Sequence, residues 1–213
     1  MDAAAVVWVI ALLYIFVDVN YFLRTVFTLL VGCVFHKRVR INETTKVYGM
    51  CLPSDVDMMV CHMNNARYLR ELDFARYHFY ERAGLFRRMF AARTVTLQTA
   101  SWIRYRQSIA LFAVYTIHTK AIFWDDRSIF LEHQFRTLDG CLRCVGMSRQ
   151  TVLSGSMQDY VEGAQPPQPS AELSHWLASI HASSQRLQAT NGNGSSSQDI
   201  DACDRKTDVC NNR

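Results

Sequence analysis

No disulfide framework can be drawn through this chain. Its 213 residues hold seven Cys, an odd number at irregular spacings, which fits a reduced compartment better than a stapled secreted fold. Cys141 and Cys144 form a CxxC with no second pair at metal-ligand spacing; they read as two small strand residues on opposite faces. No metal or cofactor set is expected. No basic stripe with interleaved aromatics occurs, and the formal net charge is only +4, which argues against nucleic acid as a partner. No internal repeat is evident. No Lys or Arg precedes the first apolar run, only Asp2, so the positive lead of a cleaved signal peptide is missing.

What the chain does have is unevenly placed apolar character. Ala3 to Val17 is apolar without a break; Asp18, Asn20 and Arg24 interrupt, and apolar residues return from Val26 to Phe35. As one helix the stretch would run about 50 Å against a hydrocarbon core of ~30 Å. One part is therefore expected to span, with the rest tilted or interfacial. Residues 1–36 read as an uncleaved membrane anchor, with a signal sequence as the alternative. Lys37, Arg38 and Arg40 follow the segment and place the remaining chain on the cytosolic side, with the endoplasmic reticulum as the expected membrane. A secretory or luminal placement is the alternative. Under it, the sequons at Asn42 (Asn-Glu-Thr) and Asn193 (Asn-Gly-Ser) become glycosylation sites.

The remaining chain reads as α+β. A short strand over 46–52 ends at Pro53 and leads into a loop with two acids, Asp55 and Asp57. An amphipathic helix follows from Asn65, with Tyr68, Leu72, Ala75, Phe79 and Ala83 on one stripe. Asn64 or Asn65 caps it and Gly84 stops it. Arg67–Glu71 and Asp73–Arg76 stand at helical ion-pair spacing and read as solvated salt bridges. Residues 86–93 read as a basic connection, with Arg87, Arg88 and Arg93 solvated or facing a membrane. Strands are expected over 94–106, 109–124, 128–138 and 141–153, the last pair joined by a tight turn at Asp139-Gly140. The last three strands form an antiparallel meander, with the helix lying across a curved sheet. After a Pro-rich hinge, 171–187 has a weaker helical pattern. From Thr190 the Asn, Gly, Ser and charged residues predict disorder. The domain division is 1–36 anchor, 45–160 globular domain, 161–187 hinge and helix, and 188–213 tail.

The stretch DVDMMVCHMNNARYLRELDFAR, from Asp55 to Arg76, resembles the hotdog-fold acyl-CoA thioesterases of the 4-hydroxybenzoyl-CoA thioesterase type. WDDR at 124–127 and the HW and ASSQ runs near the C-terminus support it, so the resemblance covers roughly residues 45 to 187. It implies a long helix wrapped by a curved antiparallel sheet, acyl-CoA as substrate, and at least a homodimer with acyl sites shared between subunits. Matched residue by residue, Asp57 is the nucleophile or general base, while Asp55 orders the loop. His62 hydrogen-bonds substrate or loop, and Asn64 orients Asp57 or caps the helix. Asn65 and Tyr68 are the expected substrate contacts. Arg104, Arg106 and Lys120 are candidates for the CoA phosphates. Backbone N–H groups at the helix start are suited to a developing oxyanion.

One departure opens a second reading. The resembled enzymes carry Gly shortly after the acid pair; here Met58-Met59-Val60-Cys61 stands, one residue longer than the common spacing. Bulky side chains there are expected to crowd the thioester. Two functions are thus in view: a membrane-anchored acyl-CoA thioesterase, and a non-catalytic hotdog module that binds acyl chains or a protein partner at a membrane.

Overall fold

The computed structural model describes residues 2–35, 37–59, 61–161 and 163–191. The chain divides into two compact units, the first ending at Pro166 and the second beginning at Pro167.

The first unit opens with two helices, α1 (Ala3–Phe16) and α2 (Val19–Val34). Asp18 separates them, and its carboxylate accepts the Tyr21 N–H at 3.1 Å as the cap of α2. The pair is bent by 78°, and among the described residues no single helix is long and apolar enough to cross a membrane. One spanning helix is not found among the described residues; α1 and α2 have the length and composition of a span only as a bent pair. A capping Asp within the apolar stretch ends α1 and restarts the chain in a new direction.

Strand β1 (Thr45–Met50) leads through a 3-10 turn at Pro53–Asp55 to helix α3 (Asn65–Arg82). Asn64 is the N-cap, accepting the Ala66 N–H at 2.9 Å. Gly84 takes φ of +72° just beyond the helix, where a Cβ would be strained. The basic stretch after it is not a connection but a short helix, α4 (Leu85–Ala91). Leu85 and Met89 are buried there, and Arg88 is turned inward to the Tyr160 carbonyl and to that of Ala83. Strands β2 (Thr96–Tyr105), β3 (Val114–Trp124), β4 (Ser128–Thr137) and β5 (Leu142–Val152) follow.

All five strands form one antiparallel sheet in the order β1-β3-β4-β5-β2. The β4–β5 turn is as expected: Gly140 has φ of +81° and donates to the Thr137 carbonyl at 2.9 Å. Asp139 accepts from Thr137 Oγ1 and the Cys141 N–H, which, with Arg143 nearby, lowers its pKa to about 2.

The β3 expectation fails at its start and holds at its end, Trp124, though the phase there changes. Residues 109–113 form a turn, with Phe112 at φ +61°, and they pair with the acid loop rather than with β4. A bulge between Ala121 and Phe123 then shifts the phase, so that Trp124 is buried and Phe123 is not. One extra residue in a strand does this because side chains alternate with period two.

Helix α3 lies between two layers. Tyr68, Leu72, Ala75 and Phe79 are buried in the core with Tyr115, Ile117 and Phe135 on one side and Ile129 and Leu131 further along. Its other face is covered by α2. Glu71, Phe74 and His78 are buried there, and Arg24 of α2 holds both Glu71 carboxylate oxygens while lying 4.3 Å from the Phe74 ring centroid. Glu71 is therefore not a solvated partner of Arg67. Asp73–Arg76 does form, at 2.8 Å. Across the sheet, buried His133 joins three strands, with Nδ1 3.0 Å from Thr119 Oγ1 and Nε2 3.1 Å from Ser148 Oγ.

The second unit holds helix α5 (Ala171–Asn191). It extends the expected 171–187 helix, so 188–191 are helical and not tail. Asn193 and residues 192–213 lie outside the described residues.

Candidate active site

The acid loop is built from its backbone outward. Val56 bridges Met63, and His62 bridges Ala110. Between them the Asp57 N–H donates to the His62 carbonyl at 2.8 Å, and the Cys61 N–H donates to the Asp57 carbonyl at 3.1 Å. The result is a small hairpin whose closing residue, Cys61, sits at φ +50°, a conformation that side chains disfavour. The Ile109 carbonyl accepts the Met63 N–H, and Cys51 exchanges hydrogen bonds with Phe112 and Ala113. The 109–113 turn thus clamps the loop from the sheet side. The sequence concealed this because its alternation continues that of β3.

Asp55 organises the loop, as expected. It is 2% exposed, it accepts the Leu52 N–H at 3.0 Å, and Arg67 Nε lies 2.6 Å from it. That contact is an ion pair rather than a hydrogen bond. Asp55 also receives the Asn64 N–H on its carbonyl, which fixes the entry to α3.

Asp57 is half-buried. One carboxylate oxygen accepts the Met59 N–H at 2.9 Å, and the other lies 3.4 Å from Asn64 Nδ2. The first contact is the turn-fixing role open to any loop Asp. The second leaves an oxygen with one long, weak donor, and so with lone pairs free to attack or to accept a proton. Asn64 caps the helix, its amide oxygen accepting the Ala66 N–H, and its amide nitrogen also faces Asp57. The expected crowding is absent at the three described positions: Met58 and Met59 are 97% and 89% exposed, and Cys61 is exposed as well. Val60 lies outside the described residues.

The remaining predicted residues converge beside the helix start. His62, Asn65 and Tyr68 line one cavity of about 250 Å³ with Met63, Tyr105 and Arg106. His62 Nδ1 is 3.1 Å from the Met63 carbonyl. If that nitrogen carries the proton, Nε2 is an acceptor. Asn65 does not cap; its side chain is exposed and its carbonyl accepts from Tyr105 Oη at 2.9 Å. Tyr68 is 2% exposed and its ring meets those of Tyr105 and Phe135 edge-on. Burial pushes its phenol up to about 12. Arg106 is at the cavity, Arg104 is exposed on β2, and Lys120 lies 3.6 Å from Glu132.

Asp57 lines neither this cavity nor a larger one of about 370 Å³, which lies between α2, α3, α4 and the start of β2. Leu29, Tyr80, Phe86, Met89 and Phe90 are among the residues lining the larger one. Sequence reasoning missed it because one wall, α2, reads as part of the anchor and another, α4, as a connection rather than a helix.

A five-stranded antiparallel sheet against a central helix, with an acid loop entering that helix, is the hotdog arrangement of the thioesterase class. The chain belongs to the Thioesterase-like superfamily, matched over residues 51–177. It is 48% identical over 187 residues to Protein THEM6 of Drosophila melanogaster, covering 84% of this chain and 97% of that one. It is 41% identical over 182 residues to Protein THEM6 of Danio rerio, covering 82% and 89%. Among solved structures it is similar to YbaW Probable Thioesterase from Escherichia coli, with a TM-score of 0.51 and 19% identity, covering 55% of this chain and 92% of that one. That last likeness bears on the fold alone.

Proposed function

We propose that this protein is a membrane-attached acyl-CoA thioesterase, hydrolysing a fatty or aromatic acyl thioester with Asp57 as nucleophile or general base. The observation that carries the reading is the Asp57–Asn64 contact at 3.4 Å, which sets a half-free carboxylate against the capped start of α3. The helix dipole there favours developing negative charge, and the cavity holding His62, Asn65 and Tyr68 lies beside it. Arg106 at the rim is a partner for a CoA phosphate.

Homodimer formation fits the same reading. The ten-residue β2 is the last strand of the sheet, and Leu97 and Tyr105 on it are exposed. A long uncovered edge is a pairing surface, and homo-oligomers close most simply with two-fold symmetry. Attachment is assigned to the apolar α1 and α2, at the endoplasmic reticulum with the domain toward the cytosol. In a luminal placement, Asn42 would be open to glycosylation; it is exposed in the turn before β1.

One observation favours the second reading, a hotdog module that binds an acyl chain or a partner without hydrolysis: Asp57 lines neither cavity. The test uses the full chain in neutral detergent with acyl-CoAs of graded chain length and one aromatic acyl-CoA, reading released thiol. Asp57→Asn is expected to lower turnover about 100-fold or more. If no thioester is turned over above the variant, the hydrolase reading is lost; acyl-CoA binding without turnover establishes the second.

A further inference from the structure

Helix α2 has the reverse of the polarity expected for a helix on a folded domain. The positions turned toward α3 are Tyr21, Arg24, Thr28 and Gly32. Arg24 is paired with the fully buried Glu71, and Tyr21 meets the Phe74 ring at 5.4 Å. Thr28 is 7% exposed, and a Cβ on Gly32 would stand 3.2 Å from the His78 ring. The positions turned away are Phe22, Leu23, Val26, Phe27, Leu30 and Val34, which are 54–67% exposed. A second latch holds the N-terminal end of α2, where Arg70 of α3 pairs with the capping Asp18. Polar groups are turned within, Arg24 only partly covered, and an apolar stripe faces outward.

Such a stripe needs an apolar occupant, and three features identify it as lipid hydrocarbon. The stripe adjoins α1, which has no charged residue from Ala3 to Phe16 and exposes Val7, Trp8, Leu12 and Tyr14. Exposed Lys37, Arg38 and Arg40 follow α2, where anionic headgroups would meet them. The outward face is apolar from Phe22 to Leu30 and at Val34, with polar Asn20 exposed at its N-terminal end and exposed Cys33 beside Val34, a sparser polar content than the rim of a protein interface.

Neither helix suits a crossing. Fourteen residues of α1 reach about 21 Å and sixteen of α2 about 24 Å, against a hydrocarbon core of ~30 Å. Only taken together, as a pair bent by 78°, do they have the length and composition of a span. A crossing by α2 would also unseat Arg24 and strand Glu71 as a buried lone charge. We propose that α2 lies in the plane of the bilayer interface, its outer stripe in hydrocarbon and its inner face fixed to α3. The N-terminus and the domain then stay on one side of the membrane. This rests on the membrane attachment assigned above and replaces a spanning anchor with an embedded cover of α3.

The test uses the full chain with one epitope before α1 and another after residue 213, expressed in cells and recovered in sealed microsomes. After carbonate washing, pelleting of the protein with the membrane establishes attachment independently of topology. Protease is then added outside. Loss of both epitopes places both ends on the cytosolic side and supports the proposal. Protection of both until detergent is added also supports it, while sinking the cytosolic placement. An N-terminal epitope protected while the other is lost, or the converse, means a crossing and overturns the proposal with attachment intact. Recovery in the wash, as monomer or as a dimer joined through the stripe, overturns proposal and attachment together.

Discussion

His133 should make stability fall steeply in mild acid, by an amount that its surroundings set. The ring is fully buried, and both nitrogens are engaged by neutral hydroxyls on neighbouring strands. Burial, with the Arg76 charge adding to it, lowers its pKa from 6.5 to about 3. The native state therefore keeps the ring neutral where the unfolded chain would protonate it. Its contribution is full above pH 6.5 and is lost as pH falls toward 3. The slope over that window is about 1.4 kcal/mol per pH unit, so between neutrality and pH 4.5 the loss is roughly 3 kcal/mol. Other groups titrate over the same range, so the comparison is with His133→Gln, which offers a donor and an acceptor and carries no proton equilibrium. Urea unfolding of both full chains in neutral detergent, followed by tryptophan fluorescence at several pH values, reads the difference directly. The gap between wild type and variant should close by that amount on acidification. Parallel pH dependences would mean that His133 is protonated in the fold or that its pocket admits water, and the reasoning would be refuted.

Two further outcomes follow from α3. Asn64→Asp keeps an oxygen for the Ala66 N–H but sets a second carboxylate beside Asp57; stability should change by less than about 1 kcal/mol. The acid limb of the pH–rate profile should move upward, because like charges oppose ionisation, and an unmoved limb would remove Asn64 from the site. Glu71→Ala should lower stability by about 3 kcal/mol, the low end for breaking a buried pair, since Arg24 remains 30% exposed. Arg24→Met with Glu71→Leu should recover most of it, and a single variant within about 1 kcal/mol of wild type in urea unfolding would mean that the pair is not sealed.

Local chemistry was legible wherever one residue decides the backbone. Asn64 as cap, Gly84 past the helix end and Asp139-Gly140 at the hairpin act through their own φ or their own side chain, and each stands where the sequence put it. The buried stripe of α3 was legible for the same reason, since Tyr68 to Phe79 repeat with the helical period. What stayed hidden depends on partners far along the chain. Arg67 and Glu71 satisfy a local pairing rule, yet Arg67 goes to Asp55 and Glu71 to Arg24, 47 residues away. Because residues 1–36 read as a membrane anchor, nothing local assigns α2 to the domain, and the second buried face of α3 is not legible. Apolar alternation carries no signal of where pairing stops, so residues 109–113 read as strand. At the site itself, the residue identities were readable but their grouping was not. His62, Asn65 and Tyr68 share a cavity while Asp57 and Asn64 form a separate pair.

The outward turn of Met58 and Met59 gives the loop a chemical voice of its own. Met63, Met89, Met147 and Met157 are all buried, so a mild oxidant reaching thioethers by access alone would find the hairpin tip long before the core. Sulfoxide there would add polarity at the rim of the acid loop and leave the packing beneath untouched. A partner or membrane settling over the loop would shade the same two sulfurs, so their reactivity reports whether the loop is open or covered.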